Sequence, residues 1–212
     1  MIEIIRKRIR KNLGNLFGFV LFQIYGKRQL LSKLGETKVL SIYFHDPSVK
    51  VFESIVKWLI EYDFDIITLE QFQDCYDEKK CKNKRTAFIS FDDAWLGNLQ
   101  LVEVLKKYNV PMTLFVAPGA IIDGQIWLNF VRIRFHELSE DITRGVKVAN
   151  IKDLPYSKAS KLYEAAKQLG GIKRRIMTKS QLLNFSKIAS IGSHTVTHPI
   201  LINCDDDDVL KE

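Results

Sequence analysis

The chain has 212 residues, of which 46% are hydrophobic and 27% are charged. This composition excludes disordered and collagen-like proteins and is sufficient for one sizeable hydrophobic core. The formal net charge is +7, and much of the excess lies near the N-terminus and in Lys173-Arg174-Arg175. Because no nucleic-acid-binding motif accompanies these basic residues, nucleic acid is not an expected partner.

Cysteine usage indicates a reducing compartment. The three cysteines, Cys75, Cys81 and Cys204, are an odd number, and none forms a Cys-x-x-Cys pair. Neither a disulfide framework nor a thiolate zinc site is therefore indicated. We expect a protein that is cytoplasmic or peripheral to the inner face of the membrane.

Residues 1–36 form a basic and apolar N-terminal segment that we expect to be helical. Its apolar run at 13–25 is shorter than the roughly 20 residues that a membrane-spanning helix needs. The run also lacks the small-residue cleavage site of a signal peptide. Two interpretations remain: a helix at the membrane interface, which would give peripheral membrane contact, or a helix packed on the domain that follows.

Strand-like and helix-like segments alternate from residue 37 onward. The sequence predicts strands at 39–44, 64–69, 86–91, 112–116 and 188–192. Between the first four strands, it predicts helices at 52–60, 69–76 and 99–108. Such βα units imply a parallel sheet or a barrel with helices outside, in which chemistry gathers at the carboxyl ends of the strands.

The third predicted strand ends in Phe91-Asp92-Asp93-Ala94-Trp95. Two adjacent carboxylates at this position are poorly explained by packing, because aspartate is rarely buried without a partner. One interpretation is a helix N-cap beside a solvated carboxylate. The other is a metal ion whose charge offsets the repulsion between the carboxylates. The motif by itself leaves both open.

The last predicted strand leads into Ser193-His194-Thr195-Val196-Thr197-His198-Pro199. Histidines at i and i+4 project on the same side of a helix or tight turn, within reach of one ion. This spacing alone is a weak signal. The histidine pair after one strand and the aspartate pair after another together indicate a metal site more specifically than the histidine spacing alone. Two imidazoles and one carboxylate form an open ligand set with a position left for water and substrate.

These two motifs resemble the first two signature motifs of the polysaccharide deacetylases, also called the NodB-homology domain or carbohydrate esterase family four. Residues 39–45 and 109–116 are similar to the opening strand of that family and to the strand after its aspartate motif. The resemblance runs from about residue 39 onward. It implies a partial domain of this type at 37–212, with a helical insertion at about 123–186.

The resemblance also implies roles for individual residues. Asp92 would be the general base that takes a proton from the attacking water. Asp93, His194 and His198 would bind a divalent ion, most often Zn²⁺, with Co²⁺, Ni²⁺ or Mn²⁺ as alternatives. The reaction would be the hydrolysis of N-acetyl or O-acetyl groups of a polysaccharide, for example a capsular polysaccharide.

The sequence departs from the family pattern in two respects. Ala94-Trp95 stands where the family continues with glycine, so a backbone conformation that glycine tolerates is expected to change. In addition, nothing here matches the family's arginine-and-proline motif, its later barrel strands or its histidine general acid. His45, at the carboxyl end of the first strand, and Trp95 are candidates for substrate contacts.

The expected fold is therefore an α/β, distorted (β/α) barrel of the polysaccharide deacetylase type, incomplete because the last strands are missing, as in a C-terminally truncated chain. Such a barrel has an open sheet edge, which a second copy in a homo-oligomer or the N-terminal segment would cover.

Three functional interpretations follow from these motifs. The first is a metal-dependent deacetylase of a glycan, which the paired motifs favour. The second is a catalytically impaired relative that binds metal or carbohydrate, which the missing motifs favour. The third is another metal-dependent amidohydrolase on the same scaffold, because a fold does not determine a substrate.

Overall fold

The computed structural model describes residues 39–78, 81 and 85–212. The predicted N-terminal segment at 1–36, with its helix and its membrane contact, lies outside these residues. Within the described part of the chain, no helix combines the length and the hydropathy needed to cross a membrane.

Strands and helices alternate through the described residues. The strands are β1 (Val39–Phe44), β2 (Asp65–Ile67), β3 (Thr86–Asp92), β4 (Thr113–Val116) and β5 (Ser190–Ser193). The α-helices are α1 (Val49–Glu61), α2 (Leu69–Asp77), α3 (Val102–Tyr108), α4 (Pro118–Asp123), α5 (Trp127–Arg134), α6 (Glu140–Thr143), α7 (Tyr156–Gln168), α8 (Lys179–Phe185) and α9 (Asp206–Lys211). Short 3-10 helices cover Leu96–Leu101, Phe135–Glu137, Val148–Asp153 and Leu201–Asn203. The predicted strands and helices are confirmed, with bounds that shift by a few residues.

Polar side chains determine where several helices begin. Ser48 precedes α1, and its hydroxyl accepts the backbone N–H of Val51 at 3.3 Å. Thr68 and Thr178 precede α2 and α8, and each forms a reciprocal capping box with the glutamine three residues later. These contacts satisfy backbone donors that the first turn of a helix leaves unpaired.

All strand pairings in the sheet are parallel, in the order β1-β3-β4-β5, and β2 also pairs with β3. β3 is buried along almost its whole length, as expected for a parallel strand covered on both faces. Among the described strands β5 pairs only with β4, so the sheet does not close. The predicted α/β fold with an incomplete barrel is confirmed.

The hydrophobic core lies between the sheet and its helices. Phe52, Val56 and Leu59 form the buried face of α1 at helical spacing. The ring of Phe52 lies 5.4 Å from that of Phe91 on β3, measured between centroids. This packing fixes β3 and therefore the aspartates at its carboxyl end.

Residues 123–186, the predicted insertion, contain four of the helices, α5 to α8. α5 packs against α7, and the rings of Phe130 and Tyr163 lie 5.6 Å apart in an edge-on arrangement. Whether this stretch is an insertion into a deacetylase domain stays a prediction. Its helix α5 nevertheless matters for the site, because Trp127 at its start reaches the histidine motif.

Candidate metal centre

The carboxyl ends of β3 and β5 hold the two motifs, and β4 lies between them. The backbone N–H of Asp93 donates to the carbonyl of Phe115 at 2.9 Å. The backbone N–H of His194 donates to the carbonyl of Val116, also at 2.9 Å. Adjacent residues of β4 therefore anchor both motifs and set the spacing between them.

A tight turn, rather than a helix, brings the two histidines together. Thr195 and His198 have φ angles of 64° and 63°, in the left-handed region that few non-glycine residues adopt. The Thr195 hydroxyl accepts the backbone N–H of His198 at 3.0 Å and closes the turn. The ring centroids of His194 and His198 consequently lie 4.7 Å apart. The predicted placement of both imidazoles on one side is confirmed.

Three ligand atoms converge at this point. Asp93 Oδ1 lies 3.7 Å from His194 Nε2 and 3.2 Å from His198 Nε2, and the two nitrogens are 3.1 Å apart. Ligand atoms around a tetrahedral ion with 2.0–2.1 Å bonds are about 3.4 Å apart. Among the described residues, Asp93 Oδ1 has no hydrogen-bond partner although it is buried. The trio therefore fits a divalent ion.

Burial differs between the carboxylate and the imidazoles. The Asp93 side chain is 3% exposed, whereas those of His194 and His198 are 34% and 24% exposed. An ion held by the trio would therefore have the buried carboxylate behind it and solvent in front. This arrangement leaves room for water and substrate, as catalytic sites with three protein ligands require.

The local electrostatics favour the protonation states that metal ligands need. Burial raises the pKa of the Asp93 carboxyl, but contacts with His198 and Trp95 lower it, and the net pKa lies below its ordinary value. Burial and the neighbouring His198 lower the pKa of His194, against the opposing charges of Asp92 and Asp93. An ionised carboxylate and a neutral imidazole are the forms that coordinate metals.

Two indole N–H groups hold the centre from outside the ligand trio. The N–H of Trp95 donates to Asp93 Oδ2 at 3.0 Å. The N–H of Trp127 donates to the backbone carbonyl of His198 at 2.7 Å. Neither contact was predicted from the sequence. Trp95 is only two residues from Asp93, so its contact could have been predicted from the sequence. Trp127 is 71 residues from His198, and no local sequence pattern relates the two.

The carboxylate of Glu212 fixes the turn between the histidines. It accepts the backbone N–H groups of Val196 and Thr197 at 2.9 and 2.7 Å and also contacts the Thr197 hydroxyl. The backbone N–H of Gly119, at the start of α4, donates to the Val196 carbonyl at 2.8 Å. These contacts satisfy the backbone N–H groups of Val196 and Thr197 and the carbonyl of Val196. The contribution of Glu212 was not predicted from the sequence.

The remaining predicted site residues also lie at this end of the sheet. Asp92 ends β3, and its charge raises the pKa of His194 although it does not belong to the ligand trio. His45 Nε2 lies 3.9 Å from Asp93 Oδ2, and its side chain is 52% exposed. The predicted roles of Asp92 as general base, and of His45 and Trp95 as substrate contacts, stay predictions.

Ala94 occupies a left-handed conformation, with φ of 55° and a fully buried methyl group. Replacing Ala94 with Gly is expected to change the free energy of unfolding by less than about 1 kcal/mol, because relieved backbone strain offsets the lost methyl burial. Ala94→Val is expected to cost more than about 2 kcal/mol, since a β-branched side chain suits neither this φ angle nor the packed space. Urea unfolding of both variants tests the pair. Equal stability of the two would contradict the strained backbone.

Comparison with known proteins identifies relatives of one kind. No family model matches the chain. The chain is 30% identical over 141 residues to the poly-β-1,6-N-acetyl-D-glucosamine N-deacetylase of Staphylococcus aureus strain MSSA476, covering 59% of this chain and 48% of the relative. It is 35% identical over 91 residues to the enzyme of the same name from strain MRSA252, covering 38% of this chain and 31% of that one.

A solved structure has a similar fold. The Streptococcus pyogenes deacetylase PplD, in complex with acetate, superimposes with a TM-score of 0.52 at 14% identity, over 84% of this chain and 64% of that chain. The chain spans about half of the length of the curated relatives it matches. The resemblance to polysaccharide deacetylases that the two motifs predicted is confirmed in sequence and in fold.

Proposed function

We propose that this chain carries the metal-binding part of a polysaccharide deacetylase, which hydrolyses N-acetyl groups of a glycan with a bound Zn²⁺ ion. The observation that carries the proposal is the convergence of Asp93 Oδ1, His194 Nε2 and His198 Nε2, which are 3.1 to 3.7 Å from one another. Two imidazoles and one carboxylate suit zinc, whereas Co²⁺, Ni²⁺ and Mn²⁺ are alternatives that the same donors accept.

The substrate proposal rests on the relatives. Proteins that match the chain are named as deacetylases of poly-β-1,6-N-acetyl-D-glucosamine. An N-acetylated glucosamine polymer is therefore the first substrate to test. The half-exposed His45 at the rim of the centre supports a role in contacting the sugar. Membrane contact, homo-oligomer formation and a location at the inner face of the membrane stay predictions.

The proposed chemistry gives the two adjacent aspartates different roles. A divalent ion held by the trio would polarise the acetamide carbonyl and lower the pKa of water. Asp93 has its carboxylate buried between the histidines and Trp95, and so serves as a ligand. Asp92 lies outside the trio but close enough for its charge to act on His194, which suits a base that takes the proton from the attacking water.

Acetate release from oligomers of β-1,6-linked N-acetylglucosamine tests the proposal. We expect release by the zinc-loaded protein, loss of release after chelation, and recovery when Zn²⁺ is added back, because the ligand trio must be occupied for the carbonyl to be polarised. Calcium, which prefers six to eight oxygen ligands, should not restore release and serves as the control ion. Release that persists unchanged in the chelated protein would exclude the metal-dependent mechanism.

A further inference from the structure

The two oxygens of the Asp93 carboxylate face different partners. Oδ1 faces the imidazoles of His194 and His198, at 3.7 and 3.2 Å, and has no hydrogen-bond partner among the described residues. Oδ2 accepts the indole N–H of Trp95 at 3.0 Å. One oxygen is therefore free to bind an ion, and the other is already engaged within the protein.

Backbone hydrogen bonds of the residues on either side of Trp95 hold its indole in place. The backbone N–H of Leu96 donates to the carbonyl of Arg175 at 2.8 Å, and the backbone N–H of Met177 donates to the carbonyl of Ala94 at 2.9 Å. The guanidinium of Arg175 also lies over the indole ring, 6.0 Å from its centroid. A segment distant in sequence thus fixes the loop on which Trp95 stands.

We propose that Trp95 is a positioning residue that makes Asp93 a one-oxygen ligand. By occupying Oδ2, its N–H leaves Oδ1 as the carboxylate atom that an ion between the histidines can bind. With both oxygens on the ion, one fewer coordination position would remain for water and substrate. This inference rests on the proposed metal-dependent function. It assigns the indole N–H a contact inside the protein, in contrast to the substrate contact that the sequence predicted for Trp95.

Metal affinity of a Trp95→Phe variant tests the inference. The substitution keeps an aromatic ring but removes the N–H, and we expect zinc affinity to fall about 10- to 100-fold, as for other hydrogen-bond partners of metal ligands. Competition with a chromophoric chelator measures the affinity. Trp58→Phe is the matched control, since Trp58 packs against the rings of Tyr62 and Phe64 and should leave affinity unchanged. In the Co²⁺-loaded proteins, visible absorption should weaken in Trp95→Phe as coordination rises above four, and stay unchanged in the control.

An NMR measurement on the wild-type protein keeps the inference testable if the variant does not fold. The chain has three tryptophans and therefore three indole N–H signals. The signal of Trp95 should exchange slowly with water and shift when Zn²⁺ is added, whereas that of Trp58 should not shift. Unchanged zinc affinity in Trp95→Phe, or a Trp95 signal insensitive to zinc, overturns the inference while the metal site stands. A wild-type protein that binds no divalent ion would instead overturn the proposed function, and this inference with it.

Discussion

A His194→Ala variant is expected to bind no divalent ion under conditions in which the wild-type protein binds about one equivalent. The imidazole of His194 supplies one of three converging donor atoms, 3.1 Å from the nitrogen of His198. Two donors remain after the substitution, so affinity should fall by more than the about 100-fold known for loss of a partner outside the coordination sphere. Elemental analysis of both proteins after dialysis measures the effect, and acetate release should disappear with the metal.

A histidine elsewhere in the chain provides the control for this experiment. His136 is exposed in the 3-10 helix Phe135–Glu137, where its ring contacts that of Phe135. His136→Ala removes the same side chain and should leave metal content and acetate release at wild-type levels. If His194→Ala keeps its full metal content, the ion is held elsewhere and the proposed ligand set is wrong.

The strands could be predicted because short runs of apolar and β-branched residues indicate buried strands. Apart from Asp92 at its end, Thr86–Asp92 is a run of small, apolar and β-branched residues, and it is the most completely buried of the described strands. The order β1-β3-β4-β5 could not be predicted, since it depends on contacts between distant segments. The short strand β2 pairs with Thr86, Ala87 and Phe88 of β3, which also pair with β1, and nothing within Asp65–Ile67 specifies that choice. Local patterns thus predict elements, whereas their arrangement depends on packing.

The convergence of the two motifs could be predicted because the carboxyl ends of parallel strands meet at one edge of the sheet. Asp93 and His194 each follow a strand directly, and both strands flank β4. The sequence left open whether a helix or a turn joins the histidines, and the left-handed Thr195 and His198 show it to be a turn. The supporting contact from Trp127 depends on the packing of α5, which the sequence does not specify.

An Asp92→Asn variant is expected to keep its metal and lose turnover. The amide has nearly the shape of the carboxylate but cannot accept a proton from water, so acetate release should fall on the order of 100- to 10,000-fold. Metal content should stay at the wild-type level, because Asp92 lies outside the trio formed by Asp93 and the two histidines. Elemental analysis and acetate release, measured on the same preparation, separate these two effects.

The adjacent substitution Asp93→Asn is the matched comparison, since it makes the same chemical change one residue along the chain. It removes the charge from the buried oxygen that faces His198 at 3.2 Å, so metal should be lost together with activity. If Asp92 is the base and Asp93 a ligand, Asp92→Asn keeps its metal, Asp93→Asn loses it, and both have the same low activity. Equal metal loss in both would mean that Asp92 is also a ligand. Full activity in Asp92→Asn would mean that another group takes the proton, and the exposed His45 at 3.9 Å from Asp93 would be the first to test.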